Sequence, residues 1–209
     1  MVGIPPPPPN NSPDPLWHVV KSGEYFLRLY DPTKFGATAT SFRTYGPISR
    51  FDHHREFPNN IDPARGIMYA AANTLSCCLV EVFGDTKVVS VGDWEVARLK
   101  SRRELTLLEL RGSGAMRAGS VASVTKDSSR RLSQLWSRYF YEQSFLYKLV
   151  DGLVYSNAHN EEIAYALYER AEDAIECVGI CKLRSAALRT ELLSSAAENG
   201  MVVEPYEAA

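Results

Sequence analysis

Five residues of this chain join a side chain able to do chemistry to a setting that calls for a reason. Glu81 lies in an apolar run from Asn73 to Gly84, where it is the only ionisable side chain apart from Cys77 and Cys78. An apolar helix turns most of its faces inward, so a carboxylate on it loses water. That loss costs on the order of several kcal/mol unless the group is paired or in use. The alternative is a Glu on the one wet face of the helix. Arg28 is the only charge in Tyr25-Phe26-Leu27-Arg28-Leu29-Tyr30. A guanidinium keeps its proton, so inside such a strand it needs an anionic partner or a wet cavity; on an edge strand it would instead point outward. Arg50 in an aromatic loop, Tyr69 in a strand and Ser156 at a strand end complete the set. Each signal is modest alone.

The elements that must hold these residues are readable from pattern. Ile67 to Ala71 reads as a short buried strand, followed by a helix that opens at Asn73 or Thr74 and stops at Gly84. Tyr25–Tyr30, apolar on both faces, reads as a strand inside a sheet, closed by Asp31-Pro32. From Lys34 to Arg65 the chain is irregular, and a loop this long in a compact domain is functional or disordered; its aromatics argue for order. Adjacent His53 and His54 point opposite ways on an extended chain and serve a local structural role. Val88–Val91, Trp94–Leu99 and Leu105–Leu110 read as strands. The turn Arg111-Gly112-Ser113-Gly114 lacks both the P-loop ending and the dinucleotide fingerprint, so it is read as a plain turn. Ser128–Tyr147 has helical period, with Leu132, Leu135, Trp136, Tyr139 and Phe140 as its buried stripe. Leu153–Ser156 is a short strand, Glu161–Glu172 a helix or strand, and Ile175–Cys181 a strand. Leu183–Glu198 is an amphipathic helix, and Met201–Val203 is a last edge strand or tail. The class is α+β, with short strands in a central sheet.

The totals narrow the function. A chain of 209 residues can bury a core, and 45% hydrophobic with 23% charged residues is an ordinary globular composition. A net charge of −2 gives no sign of a nucleic-acid or anionic-membrane partner. No apolar run approaches the roughly 20 residues of a membrane span, and no basic-then-apolar stretch marks a secretory signal. Cys77 and Cys78 look like small core residues, and Cys177-x-x-x-Cys181 is not a zinc spacing. A reduced, cytoplasmic, metal-free protein is expected. Residues 1–15, with Pro5 to Pro9, read as a proline-rich leader without a core of its own, disordered or a stiff arm. Residues 16–209 read as a single domain.

In their order and context these residues resemble the RES-domain family, named for its Arg, Glu and Ser. The resemblance runs from about Arg28 to Arg170. It is strongest in Gly66-Ile67-Met68-Tyr69-Ala70-Ala71 leading to Leu79-Val80-Glu81-Val82-Phe83, and in Asp151-Gly152-Leu153-Val154-Tyr155-Ser156. Arg28 matches the family's first Arg, Glu81 its Glu, Tyr69 its Tyr and Ser156 its Ser. Arg50, in Ser49-Arg50-Phe51, matches a loop Arg that the family commonly sets in Gly-Gly-Arg-Trp; given that departure, Arg43 and Arg55 are the alternatives. Asn157 follows Ser156 where the family often has Arg.

The resemblance implies an ADP-ribosyltransferase-like fold that cleaves the nicotinamide–ribose bond of NAD+, by phosphorolysis or hydrolysis. It implies the toxin of a toxin–antitoxin pair, restrained by a small helix-turn-helix-type (Xre-like) antitoxin. No cofactor is expected: NAD+ is the substrate and inorganic phosphate a candidate co-substrate. Glu81, Arg50 and Tyr69 would be catalytic, while Arg28 and Ser156 would bind substrate. The pyridinium leaving group departs neutral, so one carboxylate suffices where a neutral glycoside needs two. Transfer of ADP-ribose to a macromolecule, or an inactive NAD- or antitoxin-binding module, are the alternatives.

Overall fold

A computed structural model describes residues 4–55, 58–126 and 130–207. In chain order the elements are β1 (Trp17–Val20), β2 (Tyr25–Tyr30), β3 (Tyr45–Gly46), β4 (Asn60–Ile61), β5 (Ile67–Ala71), α1 (Leu75–Phe83), β6 (Val88–Val89), β7 (Glu95–Ser101) and β8 (Leu105–Glu109). They continue with α2 (Gly114–Arg117), α3 (Arg130–Glu142), α4 (Ser144–Tyr147), β9 (Gly152–Ser156), β10 (Ile163–Tyr168), β11 (Ile175–Lys182), α5 (Arg189–Glu198) and β12 (Val202–Val203). Eight strands form one curled sheet in the order β1-β8-β9-β10-β5-β2-β7-β11. Within this sheet, among the described residues, only β8 and β9 run parallel, and the crossover that such a pair requires contains α2, α3 and α4. The architecture is α+β and agrees with an ADP-ribosyltransferase-like fold.

One seam in this sheet matters for function. β5 pairs along its whole length with β10, and β2 pairs along its whole length with β7. Between them β2 and β5 share one pair, Leu27 with Ala71, and then diverge. The edge of β5 so released is taken up by Arg43, whose backbone exchanges both hydrogen bonds with Ile67, so the long loop is drawn into the sheet. Side chains alternate across the two faces. Leu27, Leu29, Tyr69, Ala71 and Tyr155 face a core shared with α1, α3 and α5; Phe26, Tyr30, Met68, Ala70 and Val154 face a second core on the other side.

β2 and β5 coincide with the segments expected from sequence, and α1 is capped by the Thr74 hydroxyl accepting from Cys77 N and closed at Gly84. Glu161–Glu172 resolves into the strand β10 followed by a 3-10 turn. The expected helix from Ser128 is broken at Gln143 into α3 and α4, and its residues 128–129 lie outside those described. Its buried stripe differs from the expected one. Trp136 and Phe140 are buried as foreseen, but with Ser133 and Ser137, while Leu135 stays 37% exposed. The two serine hydroxyls donate to the carbonyls of Val124 (2.7 Å) and Phe51 (2.6 Å), which makes that face buriable.

The proline-rich leader forms no helix or strand over residues 4–15. It uses the domain's core: Ile4 is buried, and the Pro5 carbonyl accepts from the Trp136 indole at 2.7 Å. His53 and His54 are buried, with His53 Nε2 paired to Glu169 at 3.0 Å. Cys77 and Cys78 are buried in the α1 core, and all four cysteines are free.

Candidate active site

Seven of the nine residues of α1 are buried; the two that are not are Glu81 and Val82. The wet face of this helix is therefore narrow, and it opens into a cleft of about 230 Å3 lined by Ser49, Arg50, Glu81, Arg130, Tyr155, Asn157 and His159, among others. A recess of about 50 Å3, walled by Leu29, Tyr69, Cys77 and Ala164, shares Glu81 and Val82 with it. Glu81 thus marks the junction of the two spaces.

The Glu81 carboxylate is wet on its cleft side but banked by protein elsewhere. Loss of water raises its pKa above the usual value, while the hydrogen bond from Tyr155, the charge of Arg50, the hydrogen bond from Asn157 and the charge of Arg130 pull it back. The Tyr155 hydroxyl donates to Oε1 at 3.1 Å, and the Asn157 amide donates to Oε2. Tyr155 is almost fully buried, and burial next to Glu81 pushes its own pKa far up, so its hydroxyl remains a donor.

Arg50 reaches the same cleft from a braced turn. Asp52, fully buried, accepts from Ile48 N at 2.6 Å and Ser49 N at 3.0 Å, and pairs with Arg43 at 2.8 Å. The Tyr69 hydroxyl donates to Asp52 at 3.0 Å and accepts from Phe51 N at 2.9 Å. From the other side Ser137 and Gln134 of α3 donate to the carbonyls of Phe51 and Ser49. Phe51 itself packs against Tyr155 with ring centroids 4.8 Å apart. With Asp52, Tyr69, Ser137 and Gln134 all bonded to this turn, the backbone around Arg50 has little freedom. Burial lowers the pKa of Arg50, with Tyr155 and Glu81 opposing and Arg130 adding.

Glu81, Arg50 and Tyr69 thus meet at the cleft and its recess. Arg28 and Ser156 do not line either. Arg28 alternates with Leu29 and points to the opposite face of β2, where its guanidinium donates to the carbonyls of Ala39 (3.2 Å) and Ser41 (2.6 Å). Burial lowers its pKa to about 10, with Tyr30 opposing and Arg43 adding, so it stays charged at neutral pH. Among the described residues, carbonyl dipoles face that charge where an anion was one expectation. Ser156 alternates with Tyr155 and is likewise turned from Glu81; Asn157, one residue beyond the strand, occupies the cleft instead. Arg43 and Arg55, the alternatives to Arg50, are tied to Asp52 and Asp62.

Sequence reasoning missed Tyr155, Asn157, Arg130 and His159. Tyr155 had a signal, since strand alternation places it on the α1 side once β9 is drawn. The others depend on loop and helix placement. No group of His, Cys, Asp or Glu among the described residues is arranged to hold a metal ion, and none of the helices described is long and apolar enough to cross a membrane.

The chain is similar to the solved structure of the M. tuberculosis MbcT–MbcA toxin–antitoxin complex, with a TM-score of 0.51 over 84% of this chain and 92% of that one. At 13% identity that likeness speaks to the fold. No curated protein matches the chain. The family model of the RES domain matches residues 15–188, and with most of its length covered the chain belongs to the RES domain family.

Proposed function

We propose that this protein cleaves the nicotinamide–ribose bond of NAD+ in the cytoplasm, as the toxin of a toxin–antitoxin pair. The observation that carries the reading is the placement of Glu81 at the junction of cleft and recess, held by Tyr155 and Asn157 with Arg50 on the same wall. Family membership and the resemblance between a toxin–antitoxin structure and this fold support it.

In the reaction the bond from ribose C1″ to the pyridinium nitrogen breaks, and its electron pair neutralises the leaving nicotinamide. Positive charge develops on the sugar, where the Glu81 carboxylate stabilises it and accepts a ribose hydroxyl hydrogen bond. Water or phosphate then bonds to C1″, giving ADP-ribose with release of a proton, or ADP-ribose-1″-phosphate. Arg50 offers a forked donor to a phosphate oxygen. The Tyr69 hydroxyl is committed to the Asp52 turn, which leaves its ring as a wall of the recess, suited to stacking on nicotinamide. Arg28 acts at one remove, through its hydrogen bonds to the Ala39 and Ser41 carbonyls.

The test is to incubate the purified protein with NAD+, with and without inorganic phosphate, and to follow free nicotinamide and the mass of the sugar product. Release of nicotinamide is expected in one or both conditions. A phosphorylated ADP-ribose identifies a phosphorylase, and ADP-ribose alone identifies a hydrolase. Intact NAD+ after prolonged incubation with folded protein would overturn the reading. A small helix-turn-helix-type antitoxin is the proposed partner, expected to suppress that turnover on co-expression.

A further inference from the structure

The cleft holds an arrangement that the roles above leave unused. Asp85 follows the C-terminal cap of α1, where the negative end of the helix dipole disfavours an acid. Its company is two basic side chains: Arg130 Nη2 lies 3.4 Å from Oδ2, and His159 Nε2 lies 3.6 Å from Oδ1. Asp85, Arg130 and His159 all line the cleft that contains Glu81 and Arg50. These are long contacts between groups with side chains 74%, 53% and 38% exposed, the kind of pairing that contributes little to stability.

The placement of His159 is nevertheless built in. A Cβ on Gly84 would fall 2.6 Å from His159 Cδ2, 2.7 Å from Nε2 and 2.4 Å from the Val80 carbonyl. Only glycine lets the imidazole lie across the helix end. His159 N also donates at 2.8 Å to the Asn157 side chain, which itself holds Glu81. The rim is therefore geared to the same residues that position the acid. Arg130 is close enough to Glu81 to stabilise its charge. Arg28, by contrast, faces away, which leaves Arg50 short of a second cation if a phosphate group enters.

We propose that Arg130 and His159 form the phosphate-receiving wall of the cleft, and that Asp85 is a displaceable counter-ion that holds them in the empty site and limits anion affinity. The inference rests on the reading of the protein as an NAD-cleaving enzyme. The ligand chemistry is a phosphate oxygen, supplied by the diphosphate of the dinucleotide or by inorganic phosphate as acceptor. Forked donation from Arg130 with a ring N–H from His159 suits either.

The test uses the full chain, wild type and three variants: Arg130→Gln, Asp85→Asn and, as a control for loss of charge, Arg102→Gln, at a residue that pairs with Glu176 and does not line the cleft. Initial rates are measured over a grid of NAD+ and phosphate concentrations, and inorganic pyrophosphate binding is measured by calorimetry. Arg130→Gln is expected to raise one KM and weaken pyrophosphate binding by about tenfold, with little change in kcat. Asp85→Asn is expected to move both the other way, by roughly threefold. A change confined to the KM for NAD+ assigns the wall to the diphosphate; one confined to phosphate assigns it to the acceptor. Unchanged KM values and unchanged pyrophosphate affinity in Arg130→Gln, in protein that melts as the wild type does, would overturn the proposal. If the wild type consumes no NAD+, the enzymatic reading fails, and the pyrophosphate titration of the same variants still decides whether this wall receives phosphate.

Discussion

Glu81 is pulled two ways: loss of water favours its proton, while Tyr155, Arg50, Asn157 and Arg130 favour its charge. Its pKa in the fold is raised, so relative to a neutral side chain its contribution to stability falls as pH rises from the ordinary carboxylate range through the raised value. Under the proposed function, the charge that Glu81 supplies is thus held against a cost, and its holders set the pH range of activity. Asn157→Ala removes one of them, so the acidic limb of the kcat/KM profile is expected to move to higher pH; Asn157→Ser, which restores a donor, should move it part of the way back. An unmoved limb in both variants would show that Asn157 does not hold the acid. Glu81 was legible in the sequence because an apolar helix isolates its only acid. Asn157 was not, because it lies past the end of β9, where strand alternation no longer dictates direction. Ser156 was assigned to the site by its match to the family's Ser, and alternation turns it to the other face.

The turn from Ile48 to Asp52 is the element that turns a loop arginine into a fixed group. Asp52 gathers two backbone N–H groups, the Arg43 guanidinium and the Tyr69 hydroxyl in a fully buried position. Asp52→Ala takes their shared acceptor from all four donors, although Arg43 is part-exposed and keeps the Tyr45 carbonyl, and a loss of about 2–3 kcal/mol is expected in denaturant unfolding. Asp52→Asn, which keeps the shape, should unfold with a smaller loss yet still slow turnover through Arg50. A wild-type unfolding midpoint for Asp52→Ala would refute the bracing role. β2, β5 and α1 could be read from sequence because apolar pattern and caps define them locally. The face of α3 could not: Ser133 and Ser137 look outward by type, yet the carbonyls of Val124 and Phe51 make their burial favourable. Those carbonyls belong to segments distant in sequence, so no local pattern announces them.

At the scale of the molecule the site depends on the seam where β2 and β5 part, and on what closes over it. Which strands share a single residue pair is a property of the whole sheet, invisible to strand-by-strand reading; the mixed α+β class was legible, its split was not. Glu169 is a long-range tie in the same region. It accepts from His53 Nε2 and Gly66 N, both at 3.0 Å, and from the Tyr141 hydroxyl, joining the long loop, the start of β5 and α3. Burial alone would raise its pKa, but the hydrogen bonds from His53, foremost, and Tyr141 bring it down to about 2. The stability this confers is present above the ordinary carboxylate pKa and is lost as pH falls toward 2. Glu169→Gln is therefore expected to cost on the order of 2–3 kcal/mol at pH 7, with the difference from wild type shrinking in acid. Urea unfolding at neutral pH and near pH 3 checks this; a gap that stays constant would mean that the carboxylate's charge is not what ties these segments.

On the proposed function, everything turns on the Glu81 carboxylate stabilising charge on the ribose of NAD+. It is tested most directly by the rate of nicotinamide release from NAD+ by Glu81→Gln, compared with wild type at equal concentration and saturating substrate. The side chain keeps its shape and one oxygen for Asn157 but loses its charge. A fall in kcat of about 10²–10³ is expected, in a protein that melts no lower than wild type at neutral pH. Nicotinamide release at the wild-type rate by that variant would contradict it.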